Sequence, residues 1–334
     1  MAADIAEQPE VYARLLEAGR AKAIAEVARK IAERGPQHVV FTARGTSDHA
    51  ALYGTYLAEI RLNLAAGLAS PSAITLFGAR PDLSHALVVG VSQSGGSPDL
   101  TEVIKVARES GALTLAVTNN PESALAQAAE LSIDVGAGHE RAVAATKSYT
   151  AELLALLMLV ENIRGMTDEV RRELGEIPEL AARTMTGGQA KEFAGRYRFA
   201  ARMVTTGRGY AYPSAREAAL KLMETSYLPA LAFSGADLLH GPLAMTQPDV
   251  PVLALVGDGP GGRSMRDVLT RLREQRADVV TVGPDGLLPV PPVEEKYAPL
   301  LEILPLQQLA LELALERGED PDAPRGLQKV TATM

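Results

Sequence analysis

The sequence predicts two α/β domains, each built on a parallel sheet. Three apolar, strand-like segments in the first half recur in the second half at one constant offset of 164 residues. The pairs are 38–44 with 202–208, 86–92 with 250–256, and 113–119 with 277–283. A Gly-, Ser- or Pro-rich turn follows each segment, and the first two of each half then lead into helical periodicity. Strands that alternate with helices form parallel sheets with right-handed crossovers, so we interpret the halves as copies of one unit.

Helical segments and breaks divide the chain further. The spacing predicts a helix over residues 11–34, and each half closes with a long apolar helix, at 147–164 and 300–317. A charged amphipathic stretch at 167–192, interrupted by Pro178, separates the halves. We expect an N-terminal helical segment at residues 1–35, a first domain at 36–170 and a second domain at 171–318. Residues 319–334 are expected to form a docked C-terminal tail.

Composition limits the classes of function. The chain has 334 residues, 47% of them hydrophobic and 22% charged, as is typical of a soluble globular protein. The net charge of −8, without a basic cluster, argues against nucleic acid as a partner. The longest apolar run, residues 153–160, is too short to span a membrane, and the polar N-terminus is no signal peptide. With no cysteine and no paired histidines, we expect a cytoplasmic protein without a metal site.

The most informative motif is a serine-rich turn, residues 92–97 (SQSGGS), between a predicted strand and a predicted helix. Pro98 suits the first helical position and Asp99 the first turn. Hydroxyls and backbone N–H groups at a helix N-terminus favour an anion, so the turn is either a plain capped turn or a phosphate site. Its candidate binding residues are Ser92, Gln93, Ser94 and Ser97.

A second turn, Gly45-Thr46-Ser47, follows the first predicted strand. In open parallel sheets, ligands bind beyond the carboxyl ends of the strands, where the strand order switches. We therefore expect Thr46 and Ser47 to face the same anion as the serine-rich turn, which favours a phosphate site.

Four further residues are candidates for chemistry. Lys221 and Glu224 share a helix face with Glu217, and this face is either a solvated salt-bridge stripe or a carboxylate base beside an ammonium. His240 either completes a core hydrogen bond or moves a proton near neutral pH. Lys329, in the tail, is reactive only if the tail folds over a pocket and burial lowers the pKa of its amine.

Residues 136–147 (GAGHERAVAATK) form a loop that opens the last long helix of the first half. The loop is either an ordinary helix-capping loop or a set of N–H donors for sugar hydroxyls. Val143 is its candidate binding residue.

Taken together, these motifs resemble the SIS (sugar isomerase) domain family, and most closely the isomerase half of glucosamine-6-phosphate synthases. Six segments match in the family's order: 45–47, 92–95, 144–147, 219–224, 240–243 and 324–329. The resemblance implies two tandem SIS domains, each a flavodoxin-like parallel sheet flanked by helices.

The resemblance also implies a role for each site residue. The residues that match the family's phosphate site are Ser92, Gln93, Ser94 and Ser97, with Thr46 and Ser47 nearby. Glu224 matches the glutamate that moves a proton between sugar C1 and C2, and Lys221 matches a lysine that assists proton transfer at the amine. His240 matches a ring-opening histidine contributed by the partner subunit, which implies a homodimer. Lys329 matches a lysine that forms a Schiff base with the keto sugar, and the chemistry requires no metal or organic cofactor.

Departures from the synthase pattern narrow the expected reaction. The synthase glutaminase domain and its Cys nucleophile have no counterpart here, and Gly96 and Ala145 replace a glutamate and a serine. The amino-acid sequences of residues 44–50, 97–99 and 142–149 are more similar to those of SIS-type glucosamine-6-phosphate deaminases than to those of the synthases. We therefore expect an aldose–ketose isomerase that converts glucosamine 6-phosphate to fructose 6-phosphate and ammonia.

Three alternatives stay open at the level of sequence. The chain is compatible with a transferase module that makes glucosamine 6-phosphate from fructose 6-phosphate. It is also compatible with a deglycase for another amine-bearing ketose phosphate. A non-enzymatic sugar-phosphate sensor is disfavoured because all four candidate catalytic residues are present.

Overall fold

A computed structural model describes residues 1–328, and within them the chain forms two compact units. The first unit comprises Glu10–Glu140 and Lys147–Glu176. The second unit comprises Met1–Pro9, Arg141–Thr146 and Ile177–Leu327. The chain thus passes between the units more than once, and the linear domain boundaries expected from the sequence stay a prediction.

Each unit contains a five-stranded sheet in which all paired strands are parallel. The strands of the first sheet are β1 (His38–Thr42), β2 (Ala65–Leu68), β3 (Ala86–Ser92), β4 (Leu113–Thr118) and β5 (Leu131–Asp134). Those of the second are β6 (Met203–Gly207), β7 (Ala230–Ser234), β8 (Pro251–Leu255), β9 (Asp278–Gly283) and β10 (Leu288–Pro289). The spatial orders are β2-β1-β3-β4-β5 and β10-β9-β8-β6-β7, which are the same flavodoxin-like order in each unit.

The predicted fold class is therefore confirmed. Each of the six predicted strand segments contains a strand of the structure, and the three pairs occupy corresponding places in the two sheets. The first strand, β1, lies between β2 and β3, and His38–Thr42 pairs with residues 86–90 of β3. The ends of β1 and β3 consequently lie side by side, at the point where the strand order switches.

Helices flank the sheets. The helices in the first half of the chain are α1 (Ala2–Ala6), α2 (Gln8–Leu16), α3 (Ala18–Arg34), α4 (Thr46–Leu57), α5 (Pro71–Thr75), α6 (Pro98–Glu109), α7 (Ala124–Ala128) and α8 (Lys147–Ile163). The later helices are α9 (Asp168–Thr184), α10 (Gln189–Tyr197), α11 (Ala211–Ser226), α12 (Gly235–Leu239), α13 (Pro260–Glu274) and α14 (Ala298–Glu316). A π-helical turn, Ala58–Leu62, continues α4, and a 3-10 turn, Pro242–Met245, follows α12.

The single N-terminal helix expected over residues 11–34 is wrong, because Glu17 adopts an extended conformation that separates α2 from α3. The buried residues of α2 include Val11 and Leu15, whereas α3 buries Ile24 and Ile31. At 100° per residue, one straight helix would place these two stripes on opposite faces. The break at Glu17 allows both stripes to be buried.

The strand that leads into the serine-rich turn, β3, is the central strand of its sheet. Every residue of β3 and β4 is buried, as the continuous Val, Leu and Ala runs of parallel strands predict. Val88 and Ala116 pack with Leu100, Val103 and other residues in one core cluster. This packing fixes the position of the turn between β3 and α6.

The last helix, α14, is apolar enough and long enough to cross a membrane by length and composition alone. Within the structure, 78% of its most apolar stretch is buried. Leu300, Ile303 and Leu304 on this helix are fully buried. The helix therefore has the burial of a core helix.

Glu302 of α14 is a buried carboxyl group that sequence reasoning did not single out. Burial, together with the nearby Glu295 carboxylate, raises the pKa of Glu302 from its ordinary 4.5 to about 8. The folded protein therefore holds a proton at this position at neutral pH that the unfolded chain releases. Stability must fall as pH rises between these two pKa values and level off above the folded one.

We expect Glu302→Gln to stabilise the protein increasingly from pH 5 to pH 8, because glutamine matches the shape of the protonated acid and does not ionise. The difference in free energy of unfolding should grow by about 1 kcal/mol per pH unit. Urea unfolding at three pH values measures this difference, with the exposed Glu316→Gln on the same helix as the control. A difference that is the same at every pH would contradict the assignment.

Candidate active site

The serine-rich turn connects the buried end of β3 to the start of α6. Two of its hydroxyls hold its own backbone, because Ser92 Oγ accepts the N–H of Gly95 at 3.1 Å and Ser94 Oγ accepts the N–H of Gly96 at 3.2 Å. Ser97 precedes Pro98 as the N-cap residue, but its side chain does not cap the helix. At the start of α6, Pro98 has no N–H, and the N–H groups of Leu100 and Thr101 donate to Asp99 Oδ1 at 2.9 Å and to the Ser97 carbonyl at 3.2 Å.

Gly95 is required by the geometry of this turn. Its φ is +61°, in the left-handed region, and a Cβ atom built on it would lie 2.1 Å from Ser123 Oγ. The Ser123 hydroxyl is itself fixed, because it accepts the N–H of Ala126 at the start of α7. Both the backbone conformation and the neighbour therefore exclude a side chain here.

The turn after β1 places Thr46 and Ser47 at the start of α4. Ser47 is buried, and its hydroxyl donates a hydrogen bond of 2.9 Å to Oε1 of Glu152 on α8. Glu152 was missed at the level of sequence, where it is one of two acidic residues in an apolar helix. The structure thus engages the Ser47 hydroxyl with a protein carboxylate.

Arg44 adds a positive charge beside the serine-rich turn. Its Nε and Nη2 atoms lie 2.9 and 2.8 Å from Oδ2 of Asp99, which is buried in the first turn of α6. The guanidinium is nearly half exposed, so it reaches solvent while it is held by this carboxylate. Arg44 was missed at the level of sequence because it lies outside the serine-rich turn. The pairing of β1 with β3 brings Arg44 beside that turn.

The structure therefore brings the six predicted phosphate-site residues to one edge of the first sheet. They follow two neighbouring parallel strands, β1 and β3, and they are Thr46, Ser47, Ser92, Gln93, Ser94 and Ser97. Their role in binding phosphate stays a prediction.

In the second unit, α11 carries a buried charge cluster. The side chains of Glu217 and Lys221 are fully buried, and that of Glu224 is 22% exposed. Lys221 Nζ lies 3.3 Å from Oε1 of Glu217 and also forms an ion pair with Glu224. This burial excludes the solvated salt-bridge stripe.

Electrostatics determine the protonation of Lys221. Burial by itself lowers the pKa of Lys221, but the carboxylates of Glu217 and Glu224 outweigh burial and raise it above the ordinary value. Lys221 is therefore an ammonium at neutral pH. Lys221 therefore places a fixed positive charge beside the partly exposed Glu224 carboxylate.

His240 directly follows α12, and it is exposed. Its backbone N–H donates to the carbonyl of Asp237, and Gly241, with φ of +131°, turns the chain away. Exposure excludes the buried core histidine that the sequence left open.

The C-terminal tail docks against the end of α11. The Arg325 guanidinium lies 4.2 Å from the centre of the Tyr227 ring, and the Arg325 backbone N–H donates to the Tyr227 hydroxyl. Tyr227 caps α11 three residues after Glu224. Lys329 itself lies outside the described residues.

Val143 belongs to the short segment Arg141–Thr146, which packs in the second unit although it precedes α8 in the chain. Val143 is partly buried, and the neighbouring Ala142 and Ala144 are buried. The second unit thus contains Val143, Lys221, Glu224 and His240.

A family profile settles the classification. The profile of the SIS domain matches residues 30–162 and 197–283, more than half of the chain. The chain belongs to the SIS domain family. In this SIS protein, the first match contains all five strands of the first sheet, and the second contains β6 to β9.

Named relatives of this SIS protein include enzymes of amino-sugar metabolism. A glutamine–fructose-6-phosphate aminotransferase (isomerizing) of Thermococcus kodakarensis is 33% identical over 98% of this chain and 57% of its own. The chain therefore spans little more than half the length of such relatives. A solved structure assigned to a phosphosugar isomerase of Silicibacter pomeroyi has 33% identity and a TM-score of 0.86, covering 96% of this chain and 98% of that one. Glucosamine-6-phosphate deaminase of Thermotoga maritima has 25% identity and a TM-score of 0.79, covering 99% of each chain.

We expect Gly95→Ala to weaken phosphate binding by this SIS protein, because the turn must distort to admit a methyl group. The left-handed strain alone should destabilise the fold by about 1–3 kcal/mol. Calorimetric titration with inorganic phosphate and thermal unfolding measure the two effects. The control is Gly19→Ala, since a Cβ at Gly19 in α3 meets nothing within 4 Å. Wild-type phosphate affinity in Gly95→Ala would remove the turn from the binding site.

Proposed function

We propose that this protein is a glucosamine-6-phosphate deaminase, which converts glucosamine 6-phosphate to fructose 6-phosphate and ammonia. The observation that carries the proposal is the cluster on α11, where the buried Lys221 ammonium forms an ion pair with the partly exposed Glu224 carboxylate. A positioned carboxylate is the group that moves a proton between adjacent carbons of a sugar. Membership of the SIS family supports a sugar phosphate as the substrate.

The phosphate binds at the serine-rich turn in this proposal. The turn offers the Ser94 and Ser97 hydroxyls and the Gln93 amide, with the Arg44 guanidinium beside it. The chain as a whole is acidic, with a net charge of −8, so local donors rather than a long-range field must hold the anion.

The reaction proceeds through proton transfers. His240 assists opening of the sugar ring to the aldehyde. Glu224 then removes the proton from C2, which gives an enolamine, and returns it to C1. The resulting imine at C2, fructosimine 6-phosphate, takes up water and releases ammonia, leaving fructose 6-phosphate.

Three further groups complete the proposed site. The amine of Lys329 condenses with the C2 carbonyl of the keto sugar to form a Schiff base, with loss of one water. The backbone around Val143 binds sugar hydroxyls. Lys221 remains an ammonium and assists proton transfer at the amine.

A second candidate function is synthesis of glucosamine 6-phosphate from fructose 6-phosphate. The observation that favours it is the 33% identity to aminotransferases of that reaction. The Thermotoga maritima deaminase, which matches nearly the whole of both chains at 25% identity, supports the deaminase.

We expect the purified protein to release ammonia from glucosamine 6-phosphate without added metal or cofactor. A coupled ammonia assay over a panel of hexosamine 6-phosphates measures this activity. Glu224→Gln should lower kcat by at least about 100-fold, because the amide does not accept the C2 proton, while substrate still binds. Equal turnover in the wild type and Glu224→Gln would refute Glu224 as the base.

An assay of the reverse reaction, which measures glucosamine 6-phosphate, separates the two candidate functions. Fructose 6-phosphate is supplied with ammonia, or with glutamine and a cell lysate. Faster formation of glucosamine 6-phosphate than its breakdown, at matched concentrations, would favour synthesis over deamination.

We also propose a homodimer in which His240 acts in the partner's site, in keeping with its exposure. Glu224→Gln and His240→Ala are each expected to be inactive alone. Mixed in equal amounts with subunit exchange, they should regain about a quarter of wild-type activity, since half of the dimers then contain one intact site. Activity no higher than that of either variant alone would place His240 and Glu224 of one chain in the same site.

A further inference from the structure

The segment Arg141–Thr146 is fixed by a carboxylate from the N-terminal helix α1. Asp4 of α1 is fully buried, and its Oδ2 accepts the backbone N–H groups of Arg141 at 3.1 Å and of Ala142 at 2.9 Å. Glu7, one turn further along, forms an ion pair of 3.0 Å with the Arg141 side chain. Hydrogen bonds to an ionised acceptor are the stronger kind, so Asp4 orients two consecutive peptide groups.

The other end of the segment is held by a pair of buried glutamines. Gln8 Nε2 donates to Gln307 Oε1 at 2.8 Å, and Gln307 Nε2 lies 3.4 Å from the carbonyl oxygen of Thr146. Both glutamines are fully buried. The N-terminal residues therefore act on both ends of the segment, directly through Asp4 and through Gln307 of α14.

Between these two anchors lie backbone donors without acceptors. The N–H groups of Val143, Ala144 and Ala145 make no hydrogen bond among residues 1–328. Buried N–H groups are nearly always paired, and Ala144 is 1% exposed. Three consecutive open donors, held at both ends by buried side chains, are the arrangement expected of a ligand-binding segment.

We propose that Asp4 is a positioning residue of the active site, which orients the 143–145 N–H groups towards the hydroxyls of the bound sugar. The inference rests on the proposed function, because it assigns these donors to the sugar of a sugar phosphate. Asp4 does not touch the substrate; it acts through the backbone of Arg141 and Ala142.

The test compares Asp4→Asn and Asp4→Ala with the wild type. Asp4→Asn keeps the size of the side chain but removes the charge, and the exposed Glu10→Gln serves as the matched control. We expect KM for glucosamine 6-phosphate to rise at least about tenfold in Asp4→Asn and further in Asp4→Ala, with a smaller effect on kcat. Affinity for inorganic phosphate, which reports on the serine-rich turn alone, should stay within about twofold of the wild type.

The outcomes decide the matter separately from the proposed function. A KM within twofold of the wild type in a folded Asp4→Asn overturns the proposal, and so does a parallel loss of phosphate affinity, which indicates general damage. If Asp4→Ala does not fold, Asp4→Asn alone decides. If the wild type turns over no hexosamine 6-phosphate, the proposed function fails. Amide hydrogen exchange of residues 141–146 then tests Asp4, with faster exchange expected in Asp4→Asn and unchanged exchange overturning the positioning role.

Discussion

The parallel pairing of β1 with β3 is the constraint on which the first candidate site depends. Because residues 38–42 are in register with 86–90, two turns far apart in sequence end at the same edge of the sheet. The Arg44–Asp99 ion pair then joins these turns directly. A shift in this register would separate Thr46 and Ser47 from the serine-rich turn and part the buried Asp99 carboxylate from the Arg44 guanidinium.

The second unit repeats the strand order but treats the corresponding turn differently. The turn after β8 leads into α13, and the N–H groups of Gly261 and Gly262 donate to the Glu295 carboxylate at 3.2 and 2.9 Å. A carboxylate of the chain itself thus satisfies the helix N-terminus there. In the first unit, Asp99 at the start of α6 accepts the N–H of Leu100 at 2.9 Å, and Pro98 has no N–H. The two copies therefore share a framework but meet these helix starts with different carboxylates, Asp99 on α6 itself and Glu295 from outside α13.

Regular features were predictable from the sequence because they are local or periodic. The constant offset located β1, β3, β4 and their three counterparts, and the Ser- and Gly-rich turns followed from their places at strand ends. The edge strands β2, β5, β7 and β10 have two to five residues and were missed, since so short a run has little pattern. The Ser47–Glu152 bond and the burial of Lys221 depend on which helices pack together, and residue spacing alone does not determine that.

Packing also decides whether a charged helix face is a solvated salt-bridge stripe or a carboxylate base beside an ammonium. Spacing placed Glu217, Lys221 and Glu224 on one side of α11, which fits a surface stripe equally well. Burying one ammonium is costly unless carboxylates surround it, and here two do. One of them, Glu217, is fully buried and balances the charge, whereas Glu224 stays partly exposed. The two carboxylates therefore have different roles, since only a carboxylate that reaches the surface of the unit can exchange a proton with a bound molecule.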